Sequence, residues 1–286
     1  MKKFFLRLLI LISVLGLTGF ALFMIYVYPF MQDMKKVTTI QYDPQLTLVL
    51  GGGGNSGILV GDSAVLVVDT KMNDAAEDLS KTVKQLAGNK PIIVVNTHIH
   101  TDHTGGNKFF EGQTIIAGGN YDKATWIKEC GDKGVPNVWL KDSLTLRFGD
   151  ENVTIINLPW SAHTQSDVFV YLQKRKMLFG GDVILNHSAP VILSRYDGNA
   201  YGYLKAFDYL TQRFDIAKVV PGHGPMGGPE VIANYKDFFT DMKLAALDPA
   251  REKELLAKYK DYKQIPFIMS PSALEGYFKD HKADSK

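Results

Sequence analysis

A single cysteine, Cys130, stands in the 286 residues, which excludes an intramolecular disulfide and any CxxC redox or zinc pair. The chain also lacks a charge excess: Lys+Arg 32 against Asp+Glu 30 leave a formal charge of +2. No chain-wide field holds a polyanion, so nucleic acid is not expected as a partner. No visible repeat and no low-complexity segment interrupts residues 45–247, and 45% hydrophobic residues exclude disorder as the whole story. With cysteine so scarce, any metal must be held by histidine and carboxylate.

What is present is unevenly placed. Leu8 to Phe30 carries no charged residue and follows Lys2, Lys3 and Arg7. The run is long enough to cross a bilayer, for which about 20 helical residues suffice. Tyr26, Tyr28 and Pro29 occupy the place of a small-residue cleavage site, favouring a retained anchor over a removed signal that would leave a secreted or periplasmic protein. No cysteine stands at the end of the run, which excludes a lipoprotein. The basic residues before it outweigh Lys35 and Lys36 after it, placing the N-terminus in the cytoplasm and the bulk of the chain outside. The expected organisation is an n-region at 1–7, a transmembrane anchor or signal at 8–30, a linker at 31–44, a domain over 45–247 and a helical extension over 248–286.

Within the domain, apolar runs read as strands at 47–51, 57–61, 64–69, 91–97, 143–148, 152–158, 167–172 and 176–181, with Gly51 to Gly54 as a turn. Helices are expected at Asn73 to Ala87, Tyr201 to Phe214, Pro229 to Leu247 and Pro249 to Tyr262. The first is capped by Asn73 or Asp74 and buries Ala76, Leu79, Val83 and Leu86. This is a mixed α/β pattern.

The chemistry concentrates in His98-Ile-His100-Thr-Asp102-His103-Thr-Gly105-Gly106, directly after the apolar strand 91–97. In extended backbone His98, His100 and Asp102 share one side, His103 turns in as the chain bends, and Gly105 and Gly106 permit the bend. Four ligand-type side chains thereby converge. They cannot complete two metal shells, because a hydrolytic zinc takes three protein ligands and keeps one open position. Further candidates stand at strand ends: His163 in Ser161 to Asp167, Asp182 after Gly180-Gly181, and His223 in Pro221-Gly-His-Gly224.

These motifs, with Asp69 ending an early strand, occur in the order found in the metallo-β-lactamase superfamily, which residues 45–230 resemble. The resemblance implies an αββα sandwich with a two-metal site at one edge, usually zinc, with iron or manganese as alternatives. Carried over, His98, His100 and His163 would hold the first ion and Asp102, His103 and His223 the second. Asp182 would bridge them, and Asp69 would steady the histidine loop. The expected reaction is hydrolysis of an acyl group (lactam, lactone, ester or thioester) in a small molecule by a metal-bridged hydroxide. Asp102 would orient that hydroxide, whose formation is possible because a metal lowers the pKa of water from 15.7 to about 7. Asp62 and Asp167 match no ligand motif and read as turn or solvated carboxylates.

Departures narrow the substrate. Where the Zn-Cys β-lactamases have a cysteine and, three residues on, a substrate-gripping lysine, this chain has Asp182 and Leu185. A mononuclear-iron sulfur dioxygenase and an RNA phosphodiesterase are the alternatives on this fold, the second weakened by the absence of a long basic insert. His187 is a candidate substrate contact, Tyr121, Trp126 and Trp160 are candidate pocket walls, and Cys130 reads as an inert buried thiol.

Overall fold

Every residue of Val65–Val68 is buried, yet alternate side chains enter different clusters: Leu66 and Val68 one, Val65 and Val67 another. A strand buried on both faces belongs inside a layered sandwich. The computed structural model describes residues 2–265 and 268–282.

The first sheet contains β1 (Val37–Gln41), β2 (Leu46–Gly51), β3 (Ser56–Val60), β4 (Val65–Val68), β5 (Ile92–Val95), β6 (Thr114–Gly118) and β7 (Val138–Leu140), in that spatial order. It is antiparallel as far as β4 and parallel from there to β7. The second contains β8 (Ser143–Phe148), β9 (Glu151–Asn157), β10 (Val168–Leu172), β11 (Met177–Phe179) and β12 (Lys218–Val220), antiparallel except for β11 beside β12. Helical segments are α1 (Lys2–Leu22), α2 (Tyr28–Met34), α3 (Asn73–Ala87), α4 (Thr101–Thr104), α5 (Lys123–Cys130), α6 (Ala200–Arg213), α7 (Glu230–Leu247), α8 (Pro249–Lys258) and α9 (Pro271–Asp280).

Between the sheets Leu48, Leu66 and Val95 meet Val153, Val170 and Phe179. On the outer face of the first sheet, Leu79 and Val83 of α3 cover Val65, Val67 and Val94. Outside the second sheet, Ile156 and Phe169 pack on Tyr203 and Phe207 of α6 and on Phe239 of α7. The order is helix, sheet, sheet, helix, as the sequence resemblance implied. Each such fully buried side chain contributes roughly 1.5–3 kcal/mol.

Several local expectations are corrected. Neither Asn73 nor Asp74 caps α3: Met72 is the capping residue and makes no side-chain bond, and Asn73 sits inside the first turn at φ +53°. Leu86 is 41% exposed, and Ala87 takes the buried place expected of it. The polar stretch after the apolar run carries β1, paired with β2 from Val37↔Gly51 to Gln41↔Thr47. Its tail is tied down by Arg175, whose Nε donates to Asp43 at 2.7 Å and whose Nη1 donates to buried Glu151 at 2.6 Å.

α1 and α2 are joined through a π-type turn at Phe23–Val27, and Ile10–Val27 is long and apolar enough to cross a membrane, with mean hydropathy 2.4. At the other end, Leu255 of α8 and Leu274 and Phe278 of α9 enter the same cluster as Phe238 and Phe239. The expected n-region and C-terminal extension reach residues 1, 266–267 and 283–286, which lie outside the described residues.

Candidate metal centre

The parallel strands explain why the motifs meet. β4 and β5 run side by side in one direction, so Asp69 and His98 leave at the same edge of the first sheet. β11 and β12 do likewise in the second, delivering Asp182 and His223. Only His100 has extended backbone; His98 lies in a bend after β5, and Asp102 and His103 lie on the helical turn α4, which corrects the expected alternation. Gly105 and Gly106 have ordinary negative φ. Close approach is what demands glycine here, since a Cβ on Gly106 would stand 2.2 Å from the carbonyl oxygen of Thr70.

Three sets of side chains bring one ligand atom each within 4.8 Å of one another: His98, His100 and His163; His98, His103 and Asp182; and Asp102, His103 and His223. Asp182 lies between the outer two sets. Its Oδ2 is 3.6 Å from His163 Nε2, while its Oδ1 is 3.1 Å from His103 Nε2 and 3.4 Å from His223 Nε2. Asp102 Oδ2 is 3.0 Å from His223 Nε2 and 3.5 Å from His103 Nε2.

Partners behind the rings fix which nitrogen faces inward. Asp69 Oδ2 stands 2.7 Å from His103 Nδ1 and accepts the Thr97 hydroxyl, and its Oδ1 accepts the Thr97 amide. With its own proton given to Asp69, the Thr97 oxygen is left to accept from His98 Nδ1 at 3.2 Å. The Tyr203 hydroxyl holds His163 Nδ1 at 2.8 Å, leaving Nε2 2.9 Å from His100 Nδ1. Inward-facing His98 Nε2, His103 Nε2 and Asp182 Oδ1 are buried and have no hydrogen-bond partner of proper geometry among the described residues. Buried polar atoms rarely go unsatisfied, and metal bound among these donors answers all three. The donors present therefore fit bound metal.

Charge divides the outer two sets. Burial, reinforced by neighbouring imidazoles, holds His98 well below the usual histidine range and brings His163 down to about 3. Burial also works against protons on His103 and His223, but Asp102 and Asp182 outweigh it, raising His103 well above the ordinary value and His223 to about 9. The first set offers neutral lone pairs, and the second is an ion-pair cluster that must give up protons to a metal.

Sequence reasoning missed several supports. Asp167, expected as a turn or solvated carboxylate, is 2% exposed and accepts the amides of His163 at 2.8 Å and Thr164 at 3.0 Å, with the Thr164 hydroxyl at 2.8 Å. Its placement immediately before an apolar strand was the available signal. Tyr203 lies 40 residues from the histidine it holds and gave none. Lys71, fully buried, donates Nζ to the carbonyls of Val49, Gly51 and Gly54 at 2.9, 2.5 and 2.7 Å. It thereby holds the glycine turn against the site, where Gly54 donates its amide to the Asp102 carbonyl at 2.9 Å. A Cβ on Gly54 would stand 2.2 Å from the His103 ring.

The centre floors a cavity of about 460 Å³, within the usual range for small-molecule sites. His100, Asp102, His163, Asp182 and His223 line its base, and Met72, Leu185, Ala189, Val191, Leu193 and Met269 form apolar wall. His187 is not among the lining residues: its backbone is left-handed at φ +56°, the residue is exposed, and its ring lies against Tyr262. Tyr121, Trp126 and Trp160 do not line it either. Trp126 is fully buried, Trp160 Nε1 donates to the Gly202 carbonyl, and the Tyr121 hydroxyl donates to the Tyr196 carbonyl. The aromatic wall is Tyr196, unforeseen, with its ring 4.5 Å from that of His100. Cys130 ends α5 as a buried thiol pushed up to about 12 by burial.

Residues 49–223 match the sequence model of the metallo-beta-lactamase superfamily. The chain is 27% identical to the acyl-coenzyme A thioesterase MBLAC2 of Gallus gallus over 171 residues, 50% of this chain and 60% of that protein. It thus spans about 60% of that relative's length. It is 28% identical to the metallo-beta-lactamase type 2 of Bacteroides fragilis over 184 residues, 64% of this chain and 73% of that protein. A solved metallo-beta-lactamase from Pontibacter korlensis superposes with TM-score 0.60 at 22% identity, over 72% of this chain and 99% of that one. At that identity the likeness is one of fold.

Proposed function

This chain belongs to the metallo-β-lactamase superfamily, and on that premise we propose that it is a dinuclear zinc hydrolase of acyl substrates, held to a membrane by its N-terminal helix. The observation that carries the reading is the Asp182 carboxylate, with one oxygen toward His163 and the other toward His103 and His223. In this reading His98, His100 and His163 would hold one ion, Asp102, His103 and His223 the other, and Asp182 would serve both. Zinc so held would supply a water acidic enough to ionise near neutral pH and a positive field for the oxyanion of the attacked carbonyl.

The chain's own groups do the rest. Asp102, kept below the ordinary carboxylate range by His103 and His223 despite its burial, faces the cavity as an anion and can hold the attacking water by a hydrogen bond. Asp69, Thr97 and Tyr203 keep the imidazoles in one tautomer and orientation. Leu185, Ala189, Val191 and Leu193 offer an apolar wall on which an acyl chain can pack. Hydrolysis breaks the acyl C–S, C–O or C–N bond and yields a carboxylate and a thiol, alcohol or amine. Thioesters and esters are favoured over lactams, because Leu185 stands where the Zn-Cys β-lactamases carry their lysine and because a relative is named an acyl-coenzyme A thioesterase.

Anaerobic purification of the full chain with metal analysis, followed by a panel of nitrocefin, a thioester, a lactone and a phosphodiester, tests this. Two zinc ions and acyl cleavage are expected. One iron per chain, or turnover of the phosphodiester alone, overturns it.

A further inference from the structure

β2 runs parallel to β4 by way of two antiparallel pairings through β3, so its last residue, Gly51, emerges at the edge that carries Asp69 and His98. β1 is antiparallel to β2, so it begins at that same edge, with Val37 opposite Gly51. The apolar N-terminal helix therefore joins the domain beside the metal-ligand loops. Gly51 belongs to both features, since it lines the cavity and packs so closely on the tether that a Cβ there would stand 2.1 Å from the Lys36 carbonyl oxygen.

The tether is short. Two residues separate Met34, which ends α2, from Val37, which begins β1. Three Cα steps span at most about 11 Å, and paired strand residues stand about 5 Å apart, so Gly51 is within about 16 Å of the helix end. The helix runs four residues beyond Phe30, about 6 Å more, so the cavity wall lies within about 22 Å of the end of the apolar run. A domain of this size is roughly 45 Å across. A helix fixed in a bilayer thus cannot leave the cavity on the far side. Val37, 47% exposed, stands at this rim, and Ile268, 61% exposed, adjoins cavity-lining Met269.

We propose that the metal edge is held facing the lipid surface and that the substrate is a membrane-resident amphiphile, an ester or thioester whose long acyl chain enters the apolar wall from the bilayer. This rests on the acyl-hydrolase reading and on retention of the helix.

The test uses the full chain in phosphatidylcholine–phosphatidylglycerol vesicles, given a palmitoyl thioester dissolved in the bilayer and a butyryl thioester in the water. A variant carries a flexible Gly-Ser insert of about 20 residues between Met34 and Lys35, with a reach of about 25 Å. Lengthening the tether dilutes the site at the surface, so palmitoyl turnover should fall roughly tenfold or more. Butyryl turnover should hold. Unchanged palmitoyl turnover, or an equal fall in both, overturns the proposal. If neither thioester is cleaved by either protein, the hydrolase reading fails, and placement is read separately from a fluorophore on Ile268→Cys. Brominated lipids should quench it in the natural tether and not in the lengthened one, whereas a fluorophore unquenched in both overturns the placement. Cys130, buried and raised to about 12, stays unlabelled. A mature chain found to begin after Phe30 overturns the proposal as well.

Discussion

The hydroxyl of Tyr203 lies 2.8 Å from Nδ1 of His163, on the side of the ring away from the Nε2 that faces His100. A helix of the outer layer thus decides which nitrogen of a β-loop histidine is available inside the centre. Tyr203→Phe keeps the ring, which stacks on Phe239, and removes only the partner of Nδ1. Loss of such a partner costs about 10-fold to 100-fold in metal affinity or activity. Zinc titration and turnover should both show it with an unchanged circular dichroism spectrum. Wild-type affinity in the variant would remove Tyr203 from any role at the site.

Asp167 holds the loop that carries His163 through its own backbone. An asparagine there has one acceptor oxygen where the carboxylate has two, and it turns an NH2 toward amides that need an acceptor. Asp167→Asn should therefore cost about 1–3 kcal/mol. The melting temperature of the metal-free protein should drop, and zinc stoichiometry should fall with it as His163 loses its position. A variant that melts normally and still binds two ions would show that the loop is held by something else.

Contiguity separates what was legible in the sequence from what was not. His98, His100, Asp102 and His103 fall in six residues, and the folded chain brings them together with His163, Asp182 and His223, each marked by its place after or before an apolar strand. β4 and β5 were readable because strands buried on both faces are apolar throughout. β6 and β7 were not: their apolar stretches are short, and pairing with β5 is what makes them strands. Tyr203, Lys71 and Tyr196 act through contacts made only in three dimensions, so no local pattern marks them.

Lys71 gives a pH dependence of definite sign. Burial pushes its ammonium from 10.5 down to about 7, with Asp69 and Asp102 opposing only in part. Between those values the unfolded chain keeps a proton that the folded one has lost, so stability rises with pH across the window. Lys71→Met removes that contribution. In urea melts of metal-free protein at about pH 7 and about pH 9.5, the stability of the wild type relative to the variant should increase with pH. A flat or falling difference contradicts the buried, proton-shedding lysine.

Arg175 is the cation between β1's turn and the second sheet. Removing it by Arg175→Met strands Glu151, whose side chain is 0% exposed, and should cost about 3–5 kcal/mol. The Arg175 hydrogen bond also holds Asp43 below the ordinary carboxylate range, against its partial burial. That contribution is present above the pKa of an unfolded Asp and is lost as pH falls through the folded value. The variant should therefore lose stability less steeply on the acid side. Parallel acid limbs in denaturant melts would show that Asp43 does not depend on Arg175.

Metal uptake should release protons from one half of the centre and not from the other. In the metal-free chain His98 and His163 are neutral, whereas His103 and His223 carry protons held by Asp102 and Asp182. A ligating imidazole cannot keep the proton on its inward nitrogen, so the second ion must displace these protons and its affinity should rise with pH toward about 9, where His223 deprotonates. Calorimetry near neutral pH in buffers of different ionisation enthalpy counts the protons released. His223→Ala should release about one fewer than the wild type, because the removed imidazole held one. If wild type and variant release the same number, His223 is unprotonated before metal arrives, and the ion-pair description of the second set is wrong.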